Sequence, residues 1–161
     1  EKNLDADICS STPLYPQNFS PLLMLKAGLV GCGFIGTTFH LPAWEQVNNA
    51  KIIAICDQGQ SKAYEVASSL NIQAYISLSE MLSNAKLDIV DICTPNSSHF
   101  RLIVEALEND CLVIVEKPIT TKAEELDRIS KIAKLVNKKV MIWKLPQLKK
   151  NLNLQLLWNW R

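Results

Sequence analysis

The sequence carries no excess of charge. Its 17 lysines and arginines stand against 16 acids, a formal net charge of +1, so nothing electrostatic draws it to nucleic acid or to a membrane surface. No apolar run approaches the length of a membrane span. The five cysteines are odd in number and include no C-x-x-C pair, which argues against a disulfide scaffold. Cys56, Cys93 and Cys111 lie in or beside apolar runs and read as small buried hydrophobes. The two histidines are far apart, so no metal-ligand spacing exists and no metal is expected. The N-terminal stretch lacks the basic and apolar regions of a signal peptide, which leaves a cytoplasmic setting as the expectation.

Glycine is scarce as well, with five in 161 residues, yet three of them share one hexapeptide, Gly31-Cys32-Gly33-Phe34-Ile35-Gly36. This G-x-G-x-x-G is weak evidence alone. It gains weight because it follows the run Leu25–Val30 and precedes a segment able to form a helix. Each glycine then has a job. Gly31 allows a tight turn off the strand. Gly33 lets the backbone approach a pyrophosphate. Gly36 lets the helix pack closely on the sheet. Phe34 and Ile35 complete the loop whose backbone N–H groups face the phosphates. The competing reading is a Gly-rich turn without a ligand.

The rest of the chain alternates between strand and helix patterns. Lys51–Cys56 reads as a buried strand ending at Asp57, about 20 residues beyond the fingerprint, where an acid commonly holds the adenosine ribose. The bland alternative is an Asp that forms a turn before Gly59. A carboxylate there repels a 2′-phosphate, which favours NAD over NADP, with Lys62 the only cation nearby in sequence. Ser61–Leu70 is an amphipathic helix and Gln73–Ile76 a short strand. Ser77 and Glu80 form a capping box for a short helix. Leu87–Cys93 is a further strand, broken by Asp88 and Asp91, and a polar loop, Thr94 to His99, follows it. Phe100–Leu107 is helical. Strand Cys111–Val115 runs into Glu116-Lys117-Pro118. Thr121 and Glu124 cap a long helix whose Leu126, Ile129, Ile132, Ala133 and Val136 face the sheet. Val140–Trp143 is a last strand. The fold class is α/β, a Rossmann-type doubly wound parallel sheet. His40, in the first helix, faces a ligand or, more ordinarily, is a partly buried side chain.

Three segments follow. Residues 1–23, with Pro13, Pro16 and Pro21, read as a disordered extension. Residues 24–143 form the NAD(P)-binding domain. Residues 144–161 hold four basic residues and no acid, a tail of abruptly different composition. An altered reading frame and an amphipathic helix after Pro146 both account for it.

Gly31–Gly36, Thr94-Pro95-Asn96 with His99, and Glu116-Lys117-Pro118 stand in that order at successive strand ends. In this the chain resembles the Gfo/Idh/MocA oxidoreductases, the glucose-fructose oxidoreductase and inositol dehydrogenase family. The resemblance covers Met24 to Ile142 and implies roles. Gly31, Gly33 and Gly36 cradle the pyrophosphate, and Asp57 holds the adenosine ribose. Thr94, Pro95, Asn96 and His99 line the cofactor groove. Glu116 sits near the nicotinamide ribose. Lys117 is catalytic, between nicotinamide and substrate. It exchanges a proton with a substrate hydroxyl as hydride passes. The competing reading of Lys117 is a solvated Lys before a turn-making Pro. The implied partners are a nicotinamide dinucleotide and a sugar, cyclitol or other polyol, in a protein able to form oligomers. The family's second, substrate-binding domain is expected to be absent here, leaving these residues inactive alone. Two other readings compete: a non-catalytic module that binds NAD(H) or a partner, and a methyltransferase. The methyltransferase gives Glu116-Lys117-Pro118 no role, and Asn96 lacks the following proline of an Asn-Pro-Pro-type motif.

Overall fold

The computed structural model describes residues 24–143. The expectations for residues 1–23 and 144–161 fall outside the described residues. Strand β1 is Leu25–Val30. A helix follows whose first turn, Gly36–His40, is π-wound and which continues as α1, Leu41–Trp44, with Pro42 in its opening turn. Pro42 has no N–H to donate, and it falls just where the winding changes from π to α. Next come β2 Ala50–Cys56, α2 Gln60–Leu70, β3 Gln73–Tyr75 and α3 Leu78–Asn84. The second half is β4 Ile89–Ile92, α4 His99–Glu108, β5 Leu112–Val115, α5 Ala123–Leu135 and β6 Val140–Ile142.

The six strands are all parallel, in the order β3-β2-β1-β4-β5-β6. That order is the doubly wound Rossmann arrangement. Strand side chains alternate between two covered faces. Val30, Cys56, Val90, Ile92, Val113 and Val115 pack with Leu78 and Met81 of α3, Leu102, Ile103 and Ala106 of α4 and Ile129 of α5. On the opposite face Leu29 and Ile55 meet Ala67 of α2, while Ala27, Ile89 and Ile114 meet Trp44 of α1. Cys56, Cys93 and Cys111 are buried and unpaired, as expected of small apolar residues, and so is Cys32. No helix among the described residues is long and apolar enough to cross a membrane.

Four expectations need correction. Asp91 does not break β4 but lies inside it, fully buried, in the row shared by Ile89. Asp88 stands just before the strand, where its Oδ2 accepts the Lys26 N–H at 2.8 Å. The segment 94–99 is not wholly loop. Asn96–Ser98 makes a 3-10 turn, and α4 already begins at His99. The α5 start is built on Thr120 rather than Thr121. Thr120 Oγ1 accepts the Lys122 N–H at 3.1 Å and donates to Glu125 Oε2 at 2.5 Å. Leu126 is 48% exposed, so the buried stripe of α5 begins a turn later, at Ile129. The Ser77 cap forms as expected, with Ser77 Oγ accepting the Glu80 N–H at 3.2 Å.

Candidate functional site

Parallel register brings the strand ends to one edge. Val30 lies beside Cys56 and Ile92, Ile92 beside Val115, and Val115 beside Ile142. The next residues, Asp57, Gly31, Cys93 and Glu116, therefore lie along the same edge. Ligands of open α/β sheets bind at this carboxyl end. A cavity of about 390 Å³ opens there, lined among others by Gly31, Gly33, Asp57, Lys62, Thr94, Pro95 and Arg101. A hollow of about 540 Å³ lies at the opposite edge, among Leu25, Asp88, Leu112 and Lys138, and contains none of the candidate cofactor-binding or catalytic residues.

The three glycines differ. Gly31 has φ +100°, and a Cβ on it would lie 2.9 Å from the backbone of Cys93 and Thr94. Both its conformation and its surroundings demand glycine. Gly36 is buried, and a Cβ on it would run into the Gly31 carbonyl oxygen. Gly33 is different. A Cβ there would meet nothing within 4 Å, so the fold itself does not demand glycine. A cradle that a methyl would fill suits a ligand approaching the backbone. Phe34 and Ile35 are exposed, and Phe34 rests edge-on against Phe39 with ring centroids 5.8 Å apart.

The turn, one of the two readings of Asp57, forms. Its Oδ1 accepts the Gly59 N–H at 2.8 Å, which makes the turn. Its Oδ2 accepts the Cys32 N–H at 2.7 Å, which ties the fingerprint loop to the end of β2. Each oxygen keeps acceptor capacity toward the cavity. Lys62 is not the only cation there. Arg101, from the first turn of α4, lines the same cavity, its Nη1 3.1 Å from Glu105 Oε2. Its place near the start of a helix at the ligand edge is the one sequence signal that could have found it.

The Thr94 and Glu116 loops are tied together by His99. The ring is buried, with Nδ1 2.9 Å from the Pro118 carbonyl oxygen and Nε2 2.8 Å from that of Thr94. His99 thus reaches the groove through the loops it joins, not through its own ring. Thr94 and Pro95 line the cavity, while Asn96 is exposed outside its wall. Lys117 is exposed, and its peptide bond to Pro118 is cis. Its backbone N–H donates to Glu116 Oε2 at 2.9 Å.

Behind this edge lies a polar cluster that no single stretch of sequence reveals. His40 is fully buried. Its Nδ1 is 2.8 Å from Asp91 Oδ2, and its Nε2 is 3.2 Å from Glu116 Oε1. The Trp44 Nε1–H donates to Asp91 Oδ2 at 2.7 Å. The Trp143 ring lies over the His40 ring, with centroids 4.2 Å apart and planes tilted by 30°. The Trp143 Nε1 is buried without a hydrogen-bond partner among the described residues. Burial pushes the His40 pKa down, but hydrogen bonds and charge from Asp91 and then Glu116 outweigh it and leave the pKa raised. The only sequence signal was an acid in the middle of a buried strand. His40, Asp91 and Cys93 lie close enough together for a metal, but both ring nitrogens of His40 already face carboxylates.

Known proteins share this fold. The Gfo/Idh/MocA model, described as an oxidoreductase family with an NAD-binding Rossmann fold, matches residues 25–143. The chain is similar to a D-apiose dehydrogenase of Paraburkholderia graminis, 35% identical over 94 residues, covering 58% of this chain and 25% of that protein. It is also similar to a UDP-N-acetylglucosamine 3-dehydrogenase of Acidithiobacillus ferrooxidans, 30% identical, covering 67% of this chain and 33% of that protein. Among solved structures, the WlbA dehydrogenase from Chromobacterium violaceum, in complex with NADH and UDP-GlcNAcA, matches with a TM-score of 0.72. That match is 30% identical and covers 84% of this chain and 39% of that one. The chain thus spans a quarter to a third of the length of these curated relatives.

Proposed function

Because this chain belongs to the Gfo/Idh/MocA oxidoreductases, with their NAD-binding Rossmann fold, we propose that it is the cofactor half of a dehydrogenase acting on a sugar, cyclitol or related hydroxyl compound. The observation that carries the reading is the space at Gly33, which the fold leaves empty beside an acid at the end of β2. The group that fits is NAD. The N–H groups after Gly31 and Gly33 hold its pyrophosphate, and Asp57 accepts hydrogen bonds from its adenosine ribose. Thr94 and Pro95 form the far wall of the groove. Glu116 would lie near the nicotinamide ribose.

NAD, when bound, supplies the hydride acceptor. Lys117 supplies the proton chemistry. Its side chain, on an exposed stem at the ligand edge, can reach a substrate hydroxyl, and in the neutral amine form it takes up the proton that the hydroxyl loses as hydride passes to the cofactor. A substrate held over the cofactor away from water supplies the orientation on which much of the rate depends.

Asp57 decides between cofactors. Its carboxylate favours the free ribose of NAD and repels the 2′-phosphate of NADP, against a counter-pull from Lys62 and a partly neutralised Arg101. Calorimetry should give NADH binding about tenfold tighter than NADPH, since a hydrogen bond to a charged group is worth about 1.5–3 kcal/mol. Asp57→Ala should narrow that gap. Equal affinities in the unmutated chain would refute the ribose role, and no NADH binding would refute the reading as a whole.

A further inference from the structure

The two histidines of this chain hold Lys117 from both flanks. His99 binds the Pro118 carbonyl on one side, as described. The other side is more informative. His40 presents Nδ1 to Asp91 at 2.8 Å and Nε2 to Glu116 at 3.2 Å. A neutral imidazole has one N–H and one bare lone pair. In that form one ring nitrogen would point a lone pair at a carboxylate oxygen. Only the imidazolium donates on both sides. We propose that His40, as an imidazolium bridging Asp91 and Glu116, is the positioning residue that fixes the backbone of Lys117.

The surroundings suit a cation. Asp91 faces the ring from β4 and Glu116 from the end of β5. The Cys93 thiol stands behind Asp91, with Sγ 3.8 Å from Asp91 Oδ1. Trp143 offers its ring face to the charge, a favourable contact for a cation. The raised His40 pKa agrees in direction. The chain of contacts then runs onward. With Oε1 held by His40, Glu116 turns Oε2 back to accept the Lys117 N–H at 2.9 Å. A charge-assisted pair of this kind sets geometry as well as energy. Asp91 is held in turn by the Trp44 indole N–H, so the ring is anchored at a fully buried point of the sheet. The inference rests on the reading of Lys117 as the acid/base group only for its consequence in turnover. The contacts themselves do not depend on it.

Long-range 15N NMR of the whole 161-residue chain tests this without any variant. His40 is identified by its contact with the Trp143 indole. At pH 6 to 7 its ring should show two protonated nitrogens, and a ring with one bare nitrogen there overturns the proposal. Glu116→Gln provides the second arm. Glu116 is partly solvent-exposed and the change is nearly isosteric, so the sheet should survive, as circular dichroism will report. The variant should lower the titration midpoint of His40 and shift the Lys117 amide resonance. An unmoved midpoint and amide in a folded Glu116→Gln chain also overturn it. NADH titration of the parent chain reads the cofactor site separately, so failure of the cofactor reading and failure of the His40 bridge cannot be confused.

Discussion

Replacing Gly33 by alanine separates a ligand cradle from a mere turn, with Gly31→Ala as its contrast. At Gly31 the new methyl meets φ +100° and sits 2.9 Å from the backbone of Cys93 and Thr94, which cannot rotate away. A left-handed conformation costs a non-glycine residue about 1–2 kcal/mol, and overpacking adds about 1–3 more. Gly31→Ala should therefore destabilise the chain by roughly 2–5 kcal/mol. At Gly33 the methyl meets nothing within 4 Å. Stability should change by less than about 1 kcal/mol, with a small gain expected from the stiffer unfolded chain. Affinity should behave in the opposite way. The methyl occupies the space a pyrophosphate needs, displacing it from backbone donors. Losing one charge-assisted hydrogen bond of about 1.5–3 kcal/mol raises the NADH Kd between about tenfold and a hundredfold. Urea unfolding followed by circular dichroism reads the first quantity, and calorimetric NADH titration the second. A Gly33→Ala chain that binds NADH as tightly as its parent would refute the cradle, whatever its stability.

Three further outcomes are expected. The His40 pKa is raised above its ordinary 6.5, so its contribution to stability is full below that value and is lost as pH climbs through the raised one. Urea unfolding between pH 6 and 9 should show stability falling toward the alkaline side, and Glu116→Gln should flatten the decline. Burial, reinforced by the Asp57 charge at Cys32 and by nearby acids at Cys56, pushes both thiols up to about 12. Burial also pushes Cys111 to about 11 and Cys93 higher still. Iodoacetamide at pH 8 should therefore leave all four unmodified until denaturant is added, as mass spectrometry of the peptides will report. Finally, joining a family substrate-binding domain after Ile142 should give a chain that turns over a sugar or cyclitol. In that chain Lys117→Ala should remove most of the activity, read as kcat, while leaving the NADH Kd within a few-fold.

The sheet was legible because its strands are buried on both faces. Runs such as Leu112–Val115 and Lys51–Cys56 need no partner to announce themselves. The turn at Gly31 and the acid at Asp57 were legible for a related reason: their roles are local and their spacing is fixed by one strand-helix-strand unit. Asp57 forms the turn that its spacing before Gly59 suggests, while its second oxygen makes a bond to the Cys32 N–H that the sequence does not suggest. The His40 cluster could not be read in this way. Its members come from the first helix, β4, the end of β5 and the residue after β6. They meet only because the strand order places β4 between β1 and β5. Read locally, Asp91 was a flaw in a strand. Thr121 and Glu124 matched a capping pattern that does not form: Thr120 Oγ1 accepts the Lys122 N–H and donates to Glu125 instead, and periodicity alone cannot choose between adjacent threonines. Arg101 lies more than 40 residues from Asp57 and shares its cavity only through the crossing of α4 over the sheet.

The strand order has a consequence for the growing chain. In the second half each strand is added at the outer edge of the sheet already formed: β4 on β1, β5 on β4, β6 on β5. No strand must be threaded between two neighbours already in place, so the sheet can be laid down as it leaves the ribosome, N-terminal part first. Each stage presents a bare edge until the next segment emerges. The imidazole of the first helix waits longest. It meets Asp91 when β4 arrives and Glu116 when β5 ends. Only with Trp143, the last described residue, is its ring roofed over. Once the segment through Glu116 has emerged, a paired β1–β5 sheet holds a wet histidine beside it, and the arrival of the next 27 residues shuts the water out.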